Sequence, residues 1–538
     1  MNTSEANLPS YVRPEAKAVR DDLDLMADLL AGTRRVQEQA NTRKYLRKWK
    51  DEQQDVYEIR RSCESVFEGL TRTLSAATGM LFAKAPGIEW NASETVMAEH
   101  WQDLDGQGTA GPVLAKRFSE QAIRDGLALI LVDHPSAPDG VTVTGANEGP
   151  LGLRPKWALY QRRQILSWFT ETINNVSTVT QLVLEESVNT RSGMYGVLPT
   201  IQYRVLRLVG QSDGPRFAAW EVYQETKGAI DGAFHRTSFG VFRNRHGVPA
   251  PVLPIGIAYT GRTDAPLTAS IPLLGVAWAN LSHWRLSTAL TFGREVAAYA
   301  QGIIIGELAP GPLGANGLAT PGRMKLGPLA MLHLKGDNAS FEWKAPPVEA
   351  FAPLERGIDE KLKQMGQMGM SFLITDTRAA ETAMAKRLDA TAENSTLATA
   401  AQGIQDAWNL AFEHHAWYLG IEKVGAPVLA INTDFENIAM DPQTMTAYVD
   451  AVARAGLPEM MLLEAWQHGG RIPPDTDLTL LMAEMMGNRA AIDAQNALDM
   501  GANQPPGASS TAAGTQKPRK LSIVRGADGR AVGIEESA

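Results

Sequence analysis

The sequence predicts an α+β fold: helical segments at both ends around a mixed middle region. Three observations carry this. Apolar residues recur at helical spacing over the first ~85 residues and again beyond residue 270. Between them lie runs rich in β-branched and aromatic residues, separated by Asn and Gly turn signals. Apolar residues make up 44% of the chain and charged residues 21%, enough for a sizeable core and too few charges for disorder as the main state. The 538 residues allow about three or four compact units.

In order along the chain, Leu23, Met26 and Leu30 open a helical segment. Arg43 to Lys50 is basic and reads as a solvated helix face, with a phosphate contact as the alternative. Ile59, Val66, Leu70, Leu74 and Leu81 continue the helical spacing until Pro86. Phe118 to Arg124 is helical, and Leu127 to Val132 reads as a buried strand. Ile165–Ile173 and Val176–Glu185 predict a hairpin about Asn174-Asn175. Ile201–Val209 and Arg216–Tyr223 predict a second, and Val252–Tyr259 a last strand.

A long helix is expected from the Ser270-Ile-Pro272 boundary to Gln301, about 45 Å at 1.5 Å per residue. Gly302 to Pro347, rich in Gly and Pro, predicts a small β-rich insert. A second helix follows from Pro353 to about Phe372, carrying Leu354, Ile358, Leu362 and Met365 on one face. A third runs from about Ala383 to Leu419, with Leu397, Ala401, Ile404, Trp408, Phe412, His415 and Leu419 in one stripe. Two or three helices are expected over Asp441–Asp499. The tail from Gly501 has the composition of a disordered segment.

Composition narrows the function. Lys+Arg 51 against Asp+Glu 60 gives a net charge of −9, unlike a protein that grips nucleic acid through its phosphates. The single cysteine, Cys63, rules out a disulfide framework and a multi-thiolate zinc site. The first residues show no apolar signal-peptide region, and the longest near-apolar run, Ile271–Ser282, is too short to span a bilayer. The expectation is a soluble protein made inside a cell.

The chemical motifs are weak. Gly210-Gln-Ser-Asp-Gly214 matches a nucleophile elbow as a string, but that elbow needs a strand before it and a helix after it. Strands are predicted on both sides, so a hairpin turn is the better reading. A serine hydrolase using Ser212 stays as an alternative. Gly302–Gly327 holds no phosphate-binding loop. His414 and His415 point ~100° apart on a helix, so only one faces any site. Glu52, Glu58, Glu64 and Glu68 sit on an ordinary charged helix. No catalytic residue, metal site or cofactor is expected.

The arrangement is more informative. Two long helices flank a small β insert, and a short polar loop then leads into a third long helix. The first helix carries Trp278, Leu281, Trp284 and Phe292 on more than one side. Such a helix needs neighbours on both flanks, which a closed ring of identical subunits supplies through one repeated heterologous contact.

At this point the chain resembles the portal proteins of tailed bacteriophages, in particular a family long catalogued as a domain of unknown function. The resemblance spans about residues 10–490. It is carried by Tyr45-Leu-Arg-Lys-Trp49 with Tyr57-Glu-Ile-Arg60, and by Gly79-Met-Leu-Phe82 before Pro86. Asp125-Gly-Leu-Ala-Leu-Ile-Leu-Val-Asp133 with Arg154-Pro155 adds to it. The most specific stretches are Pro272-Leu-Leu-Gly-Val-Ala-Trp-Ala-Asn-Leu-Ser-His-Trp-Arg285 and Glu381-Thr-Ala-Met-Ala-Lys-Arg-Leu-Asp389 followed by Glu393-Asn-Ser-Thr-Leu397. These are packing and loop signatures, and their order makes them specific.

The resemblance implies a portal-type fold with helical stem and wing, a β-rich clip and a helical crown, assembled as a dodecameric ring. By residue, it implies a wing over 1–269, stem helices over 270–301 and 353–373, and a clip over 302–352. A tunnel loop over 374–383, the long wing helix with its linker over 384–433 and a crown over 434–500 complete the assignment; the tail over 501–538, read as disordered from its composition, falls outside the resemblance. The ring would be the capsid channel through which double-stranded DNA is packaged and ejected. It implies Thr375, Asp376, Thr377 and Arg378 near DNA, and Arg323, Lys325, Lys335 and Asp337 in the clip, docking the motor or connector. It implies Trp278, Trp284, Arg285, Glu355, Arg356, Asp359, Glu360, Lys361 and Lys363 between subunits. Its implied partners are further copies of itself, the terminase large subunit, a head–tail connector or adaptor, and the major capsid and scaffolding proteins. It implies no catalysis, no membrane, assembly in the host bacterial cytoplasm and a final place in the virion at the portal vertex. A non-channel structural head protein is the other alternative.

Overall fold

The computed structural model describes residues 5–135, 141, 151–210, 215–226, 234–298, 301–308, 334–344, 348–368, 383–433, 458–468, 472, 476–489, 520–525 and 531–537. The chain divides into two compact units, Met1–Phe435 and Glu436–Ala538.

The first unit opens with five helices: α1 (Pro14–Ala18), α2 (Arg20–Leu30), α3 (Thr33–Gln39), α4 (Gln54–Ser62) and α5 (Gly69–Leu81). The basic stretch 43–50, expected on a helix, is instead the turn between α3 and α4. Lys44 there has φ +57°, which a helix does not allow. Arg43 leaves the solvent and pairs with Asp24 and Asp28. Burial works against the Asp24 carboxylate, but hydrogen bonds from Arg163 and Arg43 outweigh it and hold its pKa below the usual range.

Next come β1 (Gly87–Glu89), α6 (Glu94–His100), α7 (Gly111–Asp125), β2 (Leu127–Asp133) and β3 (Lys156–Gln161). Residues 127–132 are all buried, which explains their unbroken apolar run. β2 is the middle strand of a sheet ordered β3–β2–β9, where β9 is Ile255–Tyr259. A second antiparallel sheet of five strands runs β4 (Ile165–Ile173), β5 (Val176–Ser192), β6 (Gly196–Val209), β7 (Phe217–Glu225) and β8 (Phe234–Val241). Asn174 and Asn175 both take positive φ, +50° and +62°, as a two-residue hairpin turn of this type requires.

The long helix α8 (Leu274–Ala298) is shorter at both ends than expected. Its 25 residues give about 37 Å. Residues 272–273 form a turn before it. The β-branched run Ile303–Ile305 lies in β10 (Gln301–Leu308), so strand takes over early. β10 pairs antiparallel with β11 (Leu334–Lys344). α9 (Ala352–Met368) then returns along α8. Arg294 pairs with Glu355, while Asn280 and Met365 both lie against Gly69, so the two helices run antiparallel.

α10 (Ala383–Tyr418) crosses the three-stranded sheet, and β12 (Val428–Ala430) pairs with β1. The approach of α10 to β9 is backbone-close. A Cβ on Gly403 would stand 2.2 Å from the Tyr259 carbonyl oxygen, and one on Gly256 would stand 2.3 Å from that of Ala407. Beside this contact, Trp408 packs on Trp157, Trp101, Phe118 and Phe412 with ring centroids 4.7–6.4 Å apart. Truncating a fully buried Trp of this kind costs about 3–5 kcal/mol.

The second unit shows α11 (Glu459–His468), a helix over 478–489, and a hairpin of β13 (Lys520–Arg525) with β14 (Ala531–Ser537). The tail was expected to carry no ordered structure. In the hairpin's register Ile523 stands opposite Ile534 and Leu521 opposite Glu536.

Candidate functional site

The candidate site is the α8–β10–β11–α9 unit and the segment leading to α10. The elements α2, α4, α5 and α9 of the same chain pack against α8. This corrects the expectation that a single chain leaves α8 short of neighbours. Trp284 is fully buried, and its Nε1 donates to the Glu64 carbonyl at 3.2 Å. It offers no surface to a second subunit and is a core residue. Arg285 is half-buried and donates to the carbonyls of Tyr45 and Lys44. Burial and the nearby Arg47 lower its pKa. His283, against Phe67 at 5.4 Å, is likewise kept toward its neutral form by burial.

The large apolar residue that α8 leaves exposed is Trp278, 45% exposed, beside the partly exposed Ser282 one turn on. α9 contributes the exposed residues Glu355, Arg356, Asp359, Glu360 and Lys363 at spacings of three and four, a single charged face of mixed sign. Glu355 pairs with Arg294 of its own chain, Arg356 reaches back to the Ala352 carbonyl, and Lys361 donates to Gln364 at 2.7 Å. The apolar residues of α9 face α8, with Met365 buried and Leu362 packed on the main core.

The β10–β11 hairpin pairs Gln301 with Lys344 through Ile305 with Ser340. The register then shifts, so Lys335 stands opposite Glu307 and Asp337 lies in the out-of-register stretch. Both fall toward the far end of the hairpin from the helices. Arg323 and Lys325 lie outside the described residues, as do Thr375, Asp376, Thr377 and Arg378. The last four belong to the 369–382 segment between α9 and α10.

Ser212 also lies outside the described residues. Its flanks are β6 and β7, two antiparallel strands, so the strand-to-helix context of a nucleophile elbow is missing. Among the described residues, no three His, Cys, Asp or Glu side chains are placed to hold a metal ion. No helix among them is long and apolar enough to cross a membrane.

Two polar clusters escaped the sequence reading. His415 is fully buried, and its Nδ1 accepts from Trp157 Nε1 at 3.0 Å. An indole N–H only donates, so Nε2 of neutral His415 carries the proton and donates to His100 Nδ1 at 2.9 Å. Burial, then the neighbouring His100, keep the His415 pKa well below the usual value. Burial pushes His414 down to about 4. In the second cluster Arg204 donates to Glu186 at 2.7 Å and to Asp133 at 2.9 Å, while Tyr160 and Gln202 also donate to Glu186. Burial raises the Asp133 pKa against the opposing effect of Arg204. The cluster borders a cavity of about 330 Å³ lined further by His134, Trp220 and Val222. Its members come from β2, β3, β5 and β6, far apart in sequence, so no local pattern marks them.

Residues 272–419 match a family described as a domain of unknown function, DUF4055. That span runs from just before α8 to just past α10. No curated protein gives a significant match. Among solved structures, a chain from the "Virion of native gene transfer agent (GTA) particle" is 13% identical, with 75% of this chain and 90% of that chain covered and a TM-score of 0.34. A chain from the "Neck of empty GTA particle computed with C6 symmetry" is 12% identical, with the same coverage and TM-score. Neither superposition is close.

Proposed function

We propose that this chain is a portal subunit of a tailed-phage or phage-like head: a structural protein that closes into a ring of about twelve copies around a channel for double-stranded DNA. The observation that carries the reading is the unit α8–β10–β11–α9. It is an antiparallel helix pair with a two-stranded hairpin at one end, and the 369–382 segment at the other end returns the chain to α10 on the core. The sequence stretches that resemble portals most specifically lie on this unit and on α10.

The physics of the pair suits a ring contact. Its inner side is packed on the chain's own helices, and its outer side keeps Trp278 and a charged face of both signs. Such a face meets a second, different face of the next copy, and a heterologous contact of this kind closes into a ring when its rotation allows. A chain of net charge −9 also suits a channel that must release DNA, since a strongly basic lining would bind the phosphates and make release costly in counterions. In this reading the clip end meets the motor and later the connector, the 374–383 segment approaches the duplex, and the protein itself catalyses nothing.

Native mass spectrometry of the purified protein tests this. Complexes of about twelve or thirteen copies support it. Monomer alone, across a range of salt and protein concentration, overturns it.

A further inference from the structure

The five-stranded sheet carries an arm. β5 pairs with β4 only as far as Leu184, and β6 pairs with β7 only from Gln202. Between these limits, among the described residues, β5 and β6 pair with each other alone, from Ser187 opposite Ile201 to Ser192 opposite Gly196. Those six pairs project about 20 Å beyond the sheet at 3.4 Å per residue. Residues 187–199 and 201 are exposed. A two-stranded ribbon with no third element is marginally stable in water, so a ribbon of this length needs a surface to lie on.

Its side chains say what kind of surface. Val188 and Leu198 lie on one face, and Val197, Pro199 and Ile201 on the other. The tip adds Met194, 71% exposed, and Tyr195, 91% exposed. Arg191 is the only charged residue over 187–201, and its guanidinium is turned onto the carbonyls of Gly193 and Met194 in its own tip. A ribbon with no outward cation has nothing for phosphates. It needs an open strand edge whose backbone groups can pair.

The same sheet presents such an edge elsewhere, with one large apolar side chain on it. β8 is its outer strand, and residues 235–239 are exposed, including Phe239 at 67%. The opposite outer strand, β4, is closed near its start, where Arg13 donates to the carbonyls of Leu166 and Trp168. Proteins cover or blunt an edge like that of β8. The arm does not reach its own β8. Gln202, Gln224 and His235 stand side by side across the sheet, so the arm starts level with the Phe234 end of β8 and points past it.

We infer that the β5–β6 arm of one copy seats along the β8 edge of a second copy, adding its strands to that sheet through backbone pairing. A stable interface takes about 800 Å² per partner over about 20–30 residues. The 15 residues of the arm supply at most about half to three quarters of that number, and the α8–α9 face supplies more. Donor and acceptor surfaces are different patches of one chain, so the contact is heterologous and adds to a ring. The inference rests on the multi-copy assembly proposed above and not on its role in DNA passage.

The test places a photo-reactive group at the tip, Tyr195→p-benzoylphenylalanine, in full-length chains mixed from isotopically heavy and light preparations. Mass spectrometry should find heavy–light cross-links from the tip to the 234–241 peptide. A companion variant, Val197→Asp with Leu198→Asp, should raise the protein concentration needed for assembly about tenfold or more. Its melting as a monomer should be unchanged, since both side chains are exposed. Rings that form without the heavy–light cross-link, or that ignore the double variant, overturn the arm and leave the ring standing. A chain that stays monomeric throughout overturns both.

Discussion

Acid should unfold this protein through its buried histidines, and one substitution separates the share of His415. In the folded chain His415 is neutral, held by Trp157 on one ring nitrogen and His100 on the other. Its folded pKa lies well below the ordinary value of 6.5 because of burial first and of His100, Arg154 and His134 next. Below pH 6.5 the unfolded chain therefore binds a proton that the folded chain does not. Stability conferred by this group is full above 6.5 and falls as pH falls, by about 1.4 kcal/mol per unit until the folded pKa is reached. Between pH 7 and pH 5 the loss from His415 has a ceiling of about 2 kcal/mol, set by the unfolded pKa. His414, pushed down to about 4, adds a loss of the same sign over nearly the same window. His415→Gln keeps hydrogen-bonding capacity at the site and removes the titration. Urea unfolding at pH 5, 6 and 7, at one protein concentration, should show the wild type losing more stability than the variant as pH falls, by up to about 2 kcal/mol over that range. Parallel losses in the two proteins would refute the burial and tautomer assigned to His415.

Three further outcomes follow from the packing and the loop. Gly403→Val should destabilise by about 3 kcal/mol, seen as a lowered Tm, because its Cβ meets the Tyr259 carbonyl; an unchanged Tm would mean that α10 does not rest on β9 in this way. Trp284→Ala should cost about 3–5 kcal/mol of stability, whereas Trp278→Ala should cost under about 1 kcal/mol and weaken assembly instead, and equal costs would contradict their placement. Replacing Asp376, Thr377 and Arg378 together by Ala should leave assembly intact and lower the DNA content of particles; normal DNA content and normal titre would remove this segment from the DNA path.

How much was legible in the sequence depended on how local the signal was. The Asn174-Asn175 hairpin was read because its turn chemistry sits in two adjacent residues. The stripe Leu397–His415 was read because one helix face touches a continuous core, and α10 ends at Tyr418, one residue short of the expected end. β8 was missed because residues 235–239 face solvent and include Arg236, Thr237 and Ser238. The arm was missed for the same reason, since Ser187–Ser192 has no buried face to set an alternation. The surplus of apolar residues on α8 was overestimated because its partners α2, α4 and α5 come from about 200 residues upstream. Of the expected subunit-contact residues, Trp278 and the α9 charges stand on the surface, while Trp284 and Arg285 are committed to their own chain. The His415 and Arg204 clusters, assembled across distant strands and helices, left no trace that spacing could reveal.

The central claim is that copies of this chain close into a channel. Electron microscopy of the purified protein addresses it most directly. The account predicts end-on views of closed rings of about twelve or thirteen subunits with an axial hole wide enough for duplex DNA. Isolated monomers, or two-fold dimers with no hole, at every salt and protein concentration tried would contradict it.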